Sequence, residues 1–448
     1  MASQQDEDYM IALVGLWVVL NSKKKKKFKR KMWSKKWLTK RNEYTRTRLL
    51  KDLGGEPSDF RNYLRMDEDA YEQLLLLVTP LIEKKDTVMR KSISPHERLT
   101  TTLRFLATGR SYECLKYSTL ISPQALGKII PETCEAIYKV LKNVYLQVRQ
   151  AILHKHCLLT LRTVVMNLIL FQFPNTTEKW KVIAEQFEEK WNFPHCLGAM
   201  DGKHIDIVPP ADSGSYYYNY KGRHSMVLFA IVDAKYRFLL VDFGTNGRVS
   251  DGGVLQNTMF YEKLQSDELK IPKPCNVTEH FKEVPYVFVA DDAFPLSINM
   301  MKLFRQAQLD SAVKEIYNYR VSRARHVVEN GFGILASRFR IFHTQINLEP
   351  ENIVKVVMAT CALHNFLMQT HPTIYAPPNS TYQENDDDAT TNAGLDTNES
   401  NMIALQRASL GNVNVAAKNL REEFATYFVN EGKLSWQDQR VLRNKNSS

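Results

Sequence analysis

The chain has 448 residues, enough for two or three domains, and a 44% hydrophobic content that suits a globular protein with a substantial core. A formal charge of +11 favours a polyanionic partner. The six cysteines form no Cys-x-x-Cys pair, which argues against a zinc module or a disulfide framework and for a reducing compartment. No stretch reaches the roughly 18–20 apolar residues of a membrane span, so no membrane partner is expected.

The apolar run Met10–Leu20 is only 11 residues long and follows acidic rather than basic residues. That is the reverse of a signal peptide, and the run reads as an ordinary hydrophobic helix. A basic arm follows within residues 1–55. Lys23–Arg41 carries 12 Lys or Arg in 19 residues and no acid, with Phe28, Trp33 and Trp37 interleaved. Lys23, Lys24, Lys25, Lys26, Lys27, Lys29, Arg30 and Lys31 are the candidate DNA-contacting residues here. A charge run is commonly a solvated arm; the functional readings are a nuclear-import signal or phosphate contact, with the aromatics available to stack on bases.

Residues 56–147 read as all-helical. Asp67–Ile82 has helix-spaced leucines after an acidic start, and Ser94-Pro95 and Ser122-Pro123 each place a hydroxyl cap before proline. Leu99–Thr108, Tyr112–Tyr117 and Pro123–Leu141 then follow at the spacing of a helix-turn-helix. A small helical bundle would give the same pattern.

Residues 193–345 read as α/β. Phe193–Met200 leads to a first acid, and His224–Val232 and Tyr236–Phe243 are strands joined by the hairpin Asp233-Ala234-Lys235. Tyr286–Ala290 is a short buried strand and Ser322–Arg340 a helix. The core pattern fades between Phe366 and Ser400, a linker at about 371–400, and Ala404–Phe428 regains helical spacing as a terminal helix within 401–448.

Three acids stand out. Asp201 lies in Ala-Met-Asp-Gly-Lys-His, Asp291 closes the run Tyr-Val-Phe-Val-Ala, and Glu329 lies in Val-Val-Glu-Asn-Gly-Phe-Gly. Two carboxylates at strand ends and a third on a helix can ligate two divalent ions of a phosphodiester-cleaving site. Each acid also has a plain structural reading. Asp201-Gly202 could be a hairpin turn, Asp291-Asp292 could cap a helix following Pro295, and Glu329 could be an exposed helix residue. Asp206, Asp212, Asp251 and Asp292 are secondary candidates. Lys203, His204, Arg323 and Arg325 are candidate phosphate neighbours. No phosphate-cradling Gly-rich loop, dinucleotide fingerprint or nucleophile elbow is present.

Several segments in this order resemble the PIF/Harbinger superfamily of DNA transposases and Harbinger-derived nucleases. They are Ala199–His204, Ser213-Gly214-Ser215 with Tyr218–Lys221, Ala290–Leu296, and Arg325–Arg340 with its Glu329–Gly333 core. Leu103–Gly109, Ala362–Phe366 and Ser435-Trp436-Gln437 are similar as well. The resemblance covers roughly residues 30–370 and the terminal helix. It implies an α/β catalytic core of RNase H-like type, a mixed sheet flanked by helices, over residues 173–370, preceded by an all-α helix-turn-helix region. It also implies a triad of Asp201, Asp291 and Glu329 holding two Mg²⁺ or Mn²⁺, and the excision and strand-transfer chemistry of a transposase. The expected partners are DNA (terminal inverted repeats and target site) and a Myb-like accessory protein; a homo-oligomer acting in the nucleus is expected. The other expectation is a domesticated, catalytically silent DNA- or partner-binding protein.

The sequence departs from the family pattern once. Between Tyr145-Leu146-Gln147 and Phe173-Pro174-Asn175-Thr176-Thr177, relatives have no counterpart of Val148–Gln172. Its Val-Arg start and Leu-Ile-Leu-Phe-Gln end fit a splice donor and a pyrimidine-rich acceptor, so 148–172 reads as an in-frame retained intron.

Overall fold

The structure is a computed structural model that describes residues 50, 53–88, 91–145, 169–170, 174–249, 251–278, 281–377, 402–404 and 414–446. All of these belong to one compact unit, Thr45–Ser448. The basic run Lys23–Arg41, residues 378–400 of the linker and all but two residues of 148–172 lie outside the described residues.

The helical region comprises α1 (Pro57–Leu64), α2 (Glu68–Ile82), α3 (Pro95–Thr108), α4 (Tyr112–Thr119) and α5 (Pro123–Tyr145). The helix starts follow from capping chemistry. The Asp67 side chain accepts from the Ala70 amide, Ser94 and Glu97 form a reciprocal capping box, and Ser111 accepts from the Cys114 amide. Gly109, left-handed at φ 64°, ends α3. Leu126, Ile130, Ile137 and Leu141 of α5 are buried, and α5 packs along α10 (Pro350–Thr370) of the α/β region. Ion pairs flank this packing: Glu132 meets Arg98 and Lys84, and Glu135 meets Lys139 and Lys355.

The α/β part is built on β1 (Ile169–Leu170), β2 (Cys196–Asp206), β3 (Ser225–Val232), β4 (Phe238–Asn246), β7 (Val287–Ala290), β8 (Met300–Met301) and β9 (Ile403–Ala404). A small hairpin of β5 (Cys275–Asn276) and β6 (Glu283–Val284) lies apart. The large sheet runs β1-β4-β3-β2-β7-β8, and β9 adds to β2. Strands β2, β3 and β4 form an antiparallel meander, whereas β7 and β8 join parallel. This mixed sheet flanked by helices is the α/β core expected. Two residues of the 148–172 segment, Ile169 and Leu170, pair with Val241 and Leu240 at its edge.

Strand alternation sorts side chains between the two faces. Ala199 pairs with Val232 and Asp201 with Ala230, so these four share one face. The long helix α9 (Ala312–Arg338) covers it: Val232 lies 3.5 Å from where a Cβ on Gly331 would sit. Phe238, in ring contact with Phe332 of α9 and His364 of α10, continues this packing. The other face carries Phe288, packed edge-on by Trp180 of α6 (Thr177–Trp191) and Phe260 of α8 (Met259–Gln265). A short helix, α7 (Asp251–Gln256), precedes α8.

Helix α10 is long and apolar enough in composition to cross a membrane, yet it is mostly buried in the core. After it comes the one-turn α11 (Pro372–Tyr375). The C-terminal region holds two helices, α12 (Val415–Val429) and α13 (Gln437–Asn446), where periodicity suggested one. Buried Arg320 of α9 fastens them: its guanidinium donates to the carbonyls of Gly432 and Asn192 and to Gln437 Oε1. Gln437 Nε2 in turn donates to the Phe428 carbonyl. The Ser-Trp-Gln motif is thus a docking device.

Candidate active site

Strand register brings the first two acids together. Met200 of β2 lies opposite Ala290 of β7, and the next residue on each is an aspartate. Asp201 does not end its strand as expected; it lies in the middle of β2, at the point where pairing with β7 stops. Nor does Asp201-Gly202 form a turn, and no helix follows Pro295. Asp291 instead opens a turn that leads to β8. The two side chains adopt the same local posture. Asp201 Oδ1 accepts from the Gly202 amide at 2.8 Å, and Asp291 Oδ1 from the Asp292 amide at 2.7 Å.

Glu329 reaches this region from α9. Its Oε1 accepts from Arg325 Nη1 at 2.6 Å, one turn earlier, and its Oε2 lies 3.6 Å from His326 Nε2. Arg325 is the common neighbour of the triad. Burial alone would lower its pKa, but Glu329, Asp291 and Asp201 together raise it. The three acids therefore share one electrostatic environment.

Lys203 Nζ lies 2.9 Å from Asp201 Oδ2, a buried ion pair. Burial pushes the Asp201 carboxyl above the usual carboxylate range, outweighing Lys203 and Arg325. The charged form of such a carboxylate is under-solvated, a deficit that a bound cation relieves. The donor set of three carboxylates likewise fits hard divalent cations. The site is not pre-closed: among the described residues no three His, Cys, Asp or Glu side chains are gathered tightly enough to hold an ion. Lys203 and Arg325 supply the positive charge in this arrangement.

The remaining candidates divide. Lys203 and Arg325 sit with the acids. Arg323 instead lies over the Trp436 ring at 4.7 Å, as part of the C-terminal docking. His204 is buried on the opposite face of the sheet from Asp201, with Nδ1 2.9 Å from Ser225 Oγ. The lysines and arginine of the 23–31 run lie outside the described residues. Of the secondary acids, Asp206 pairs with Arg223 and Asp251 opens α7. Asp212 sits in an exposed loop, left-handed at φ 64°.

Lys302, which follows β8, went unnoticed in the sequence. Its Nζ donates to the carbonyls of Asp292 and Phe294 at 3.0 and 2.8 Å and lies 3.3 Å from Asp292 Oδ1. It thereby fixes the turn that carries Asp291; only its place after a short apolar pair could have hinted at this. A cavity of about 570 Å³ opens beside that turn, lined by Asp291, Asp292, Leu303, Phe304, Arg305 and Asn318. Asp242 of β4 was missed too. It is buried on the face opposite Asp201, and burial pushes its carboxyl up to about 7.

Residues 200–365 match the DDE superfamily endonuclease family, a span that contains Asp201, Asp291 and Glu329. The chain is 28% identical to "Protein ALP1-like" of Arabidopsis thaliana over 189 residues, 42% of this chain and 46% of that protein. It is 22% identical over 210 residues to HARBI1 of Homo sapiens, whose name proposes a nuclease, covering 46% of this chain and 56% of the relative. "Antagonist of like heterochromatin protein 1" of Arabidopsis thaliana is 23% identical over 195 residues, 43% of this chain and 48% of that protein. The matches to these three span about half the length of each relative. No solved structure matches the chain. The DDE superfamily endonuclease match over residues 200–365 and the relatives named HARBI1 and ALP1-like support a Harbinger superfamily DDE nuclease family for this chain.

Proposed function

We propose that this chain is a metal-dependent DNA endonuclease of the transposase type, acting in the nucleus on the ends of a mobile element and joining the freed 3′-hydroxyl to target DNA. The register that sets Asp201 beside Asp291 beneath α9, where Arg325 and Glu329 pair, is the observation that carries this reading. Asp201, Asp291 and Glu329 are the residues that would hold divalent ions. Two bound Mg²⁺ or Mn²⁺ would supply charge to the scissile phosphate and lower the pKa of the attacking water.

The chain's own residues do the rest. Lys203 pairs with Asp201, Arg325 adds positive charge to its surroundings, and burial keeps bulk water from screening them. Once the carboxylates are neutralised by other charge, the Lys203 ammonium and Arg325 guanidinium become available to phosphate oxygens. The Asp292–Lys302 contacts keep the Asp291 turn from shifting as DNA enters. The exposed side of α5 mixes Glu132 with Lys128, Lys139 and Lys142, so its charge does not by itself mark a DNA-reading helix. DNA engagement is therefore assigned to the acid-bearing face of the core and to the basic arm.

The test is Mg²⁺- or Mn²⁺-dependent nicking of supercoiled plasmid by the full chain. Asp201→Asn and Glu329→Gln should each lower the rate about a thousandfold, a loss of roughly 4 kcal/mol of transition-state stabilisation, while DNA binding stays within about threefold. Nicking that survives both substitutions would overturn the assignment. A second reading, a silent DNA- or partner-binding protein, is favoured by the triad already being charge-paired to Lys203 and Arg325. It predicts no metal-dependent nicking by the unaltered chain on any DNA.

A further inference from the structure

The turn between β2 and β3 is the most aromatic exposed surface among the described residues. Tyr216, Tyr218 and Tyr220 alternate along it and are 56%, 49% and 45% exposed. Solvating so many aromatic rings in one short stretch is costly, and such patches mark recognition surfaces.

The stretch is also rigid. Asn219 is buried beneath it; its Nδ2 donates to Ser225 Oγ at 2.9 Å, and its Oδ1 accepts from the amides of Lys221 and Arg223 at 3.0 and 3.1 Å. Ser225 Oγ in turn meets His204 Nδ1 on β2, and the Tyr220 ring lies 5.9 Å from the His204 ring. Tyr218 packs edge-on against His224, and Tyr216 edge-on against Tyr217. Gly247 of the neighbouring turn donates its amide to the Ser225 carbonyl. A Cβ on Gly247 would fall 2.3 Å from Ser225 Oγ and 2.9 Å from the Tyr217 carbonyl, so only glycine lets the two turns close together. His204, a candidate phosphate neighbour by sequence, thus serves as a buried post for this surface.

Two kinds of occupant suit exposed tyrosines: an apolar protein face or unpaired nucleobases. Charge decides between them. Lys221 is exposed with its Nζ 5.8 Å from the centre of the Tyr220 ring, and Arg248 is exposed next to Gly247, whose amide donates to the Ser225 carbonyl. Rings interleaved with cations let bases stack while their phosphates are neutralised, and stacking of this kind tolerates any base sequence. Ser225, which closes the surface, pairs with Asp206, five residues or about 17 Å along β2 from Asp201. The rings pack over His204 on the sheet face opposite the acids, so a strand from the triad meets them by passing around the end of β2. A DNA strand cut at the triad is within reach of this surface.

We propose that Tyr216, Tyr218 and Tyr220 form a stacking platform for unpaired nucleotides of the DNA substrate. The choice of DNA rests on the nuclease reading; the platform itself rests on exposure, rigidity and charge. The experiment measures anisotropy of a labelled single-stranded oligonucleotide and of the blunt duplex of the same sequence, with the full chain in EDTA. Replacing all three tyrosines by serine should weaken single-strand binding ten- to a hundredfold and duplex binding less than threefold. Replacing all three by phenylalanine, which keeps the rings, should preserve single-strand binding. Equal losses on both DNA forms, no loss, or a phenylalanine variant as weak as the serine variant would each overturn the proposal. If the triple serine variant does not fold, Tyr216→Ser, at the most exposed of the three, should by itself lose threefold or more on single strands only, and no change there would count against the platform. Because no metal is present, absence of nicking leaves this result intact, and loss of the platform with nicking preserved sinks this proposal alone.

Discussion

Arg325 and Glu329 stand one turn apart on α9, and the arginine's guanidinium is held 2.6 Å from the glutamate it would have to release for a cation to bind. This pair sets the charge balance of the whole triad, because Arg325 also neighbours Asp201 and Asp291. Replacing Arg325 by Gln leaves the acids repelling one another, so the ion-free protein should melt earlier. Added Mn²⁺ should then raise its melting temperature more than it raises that of the unaltered protein. Thermal melts with and without Mn²⁺ check this; an equal or smaller Mn²⁺ shift in the variant would show that Arg325 does not compete with metal.

His364 gives a pH signature. It is fully buried on α10, with Nε2 2.8 Å from the Tyr236 carbonyl and Nδ1 3.2 Å from the Tyr375 hydroxyl. Burial holds it down at about 4, against an ordinary value near 6.5. The folded state therefore keeps His364 neutral while the unfolded chain takes up a proton. Stability contributed by this group is complete above about pH 6.5 and is lost as pH falls toward 4, by up to about 3 kcal/mol. His204 is lowered similarly by burial and by Lys221. His364→Gln should flatten the fall of melting temperature between pH 6.5 and 4 without abolishing it. A slope identical to that of the unaltered protein would contradict the assignment.

Gly109 ties the helical region to the core. It is left-handed, and a Cβ there would come within 2.8 Å of Thr344 Oγ1 and 3.1 Å of the Arg340 carbonyl. Backbone strain and the clash add, so Gly109→Val should cost about 2 kcal/mol or more. Chemical denaturation measures it, and a cost below about 0.5 kcal/mol would mean that the contact yields freely.

The Arg320 guanidinium satisfies three acceptors from three segments. Arg320→Met leaves the Gly432 and Asn192 carbonyls without this donor and Gln437 Oε1 with only the Leu434 amide, and should release α12 and α13. Limited proteolysis should then cut within residues 414–446 at least tenfold faster than in the unaltered protein. Unchanged cleavage would assign the docking to the aromatic contacts of Phe193 with Phe424 and Phe428 instead.

Much of this architecture was legible in the sequence where local chemistry dictates it. Serine and aspartate caps placed the starts of α2, α3 and α5, and alternating apolar residues found β3, β4 and β7. Legibility failed where tertiary pairing decides. Nothing near Asp201 shows that β2 continues for five residues past it, because β3 pairing, not local preference, extends the strand. Arg323 looked like a phosphate ligand, since a sequence does not show that Trp436 returns to cover it. The Ala-Leu-His-Asn-Phe segment was visible as a family motif, but not as a clamp. Asn365 Oδ1 accepts from the Phe238 amide and Nδ2 donates to the Phe238 carbonyl, 127 residues away.

Strand β9 carries a consequence for solubility. Beyond Met200 the β7 side of β2 would offer unpaired main-chain donors and acceptors to any extended segment, an invitation to intermolecular strand pairing. Ile403 and Ala404 occupy it opposite His204 and Lys203. The protein thus carries its own guard against edge-to-edge association, drawn from a distant part of the chain. A version ending before residue 402 should lose that guard, and its light scattering should rise with concentration while the full chain's stays level.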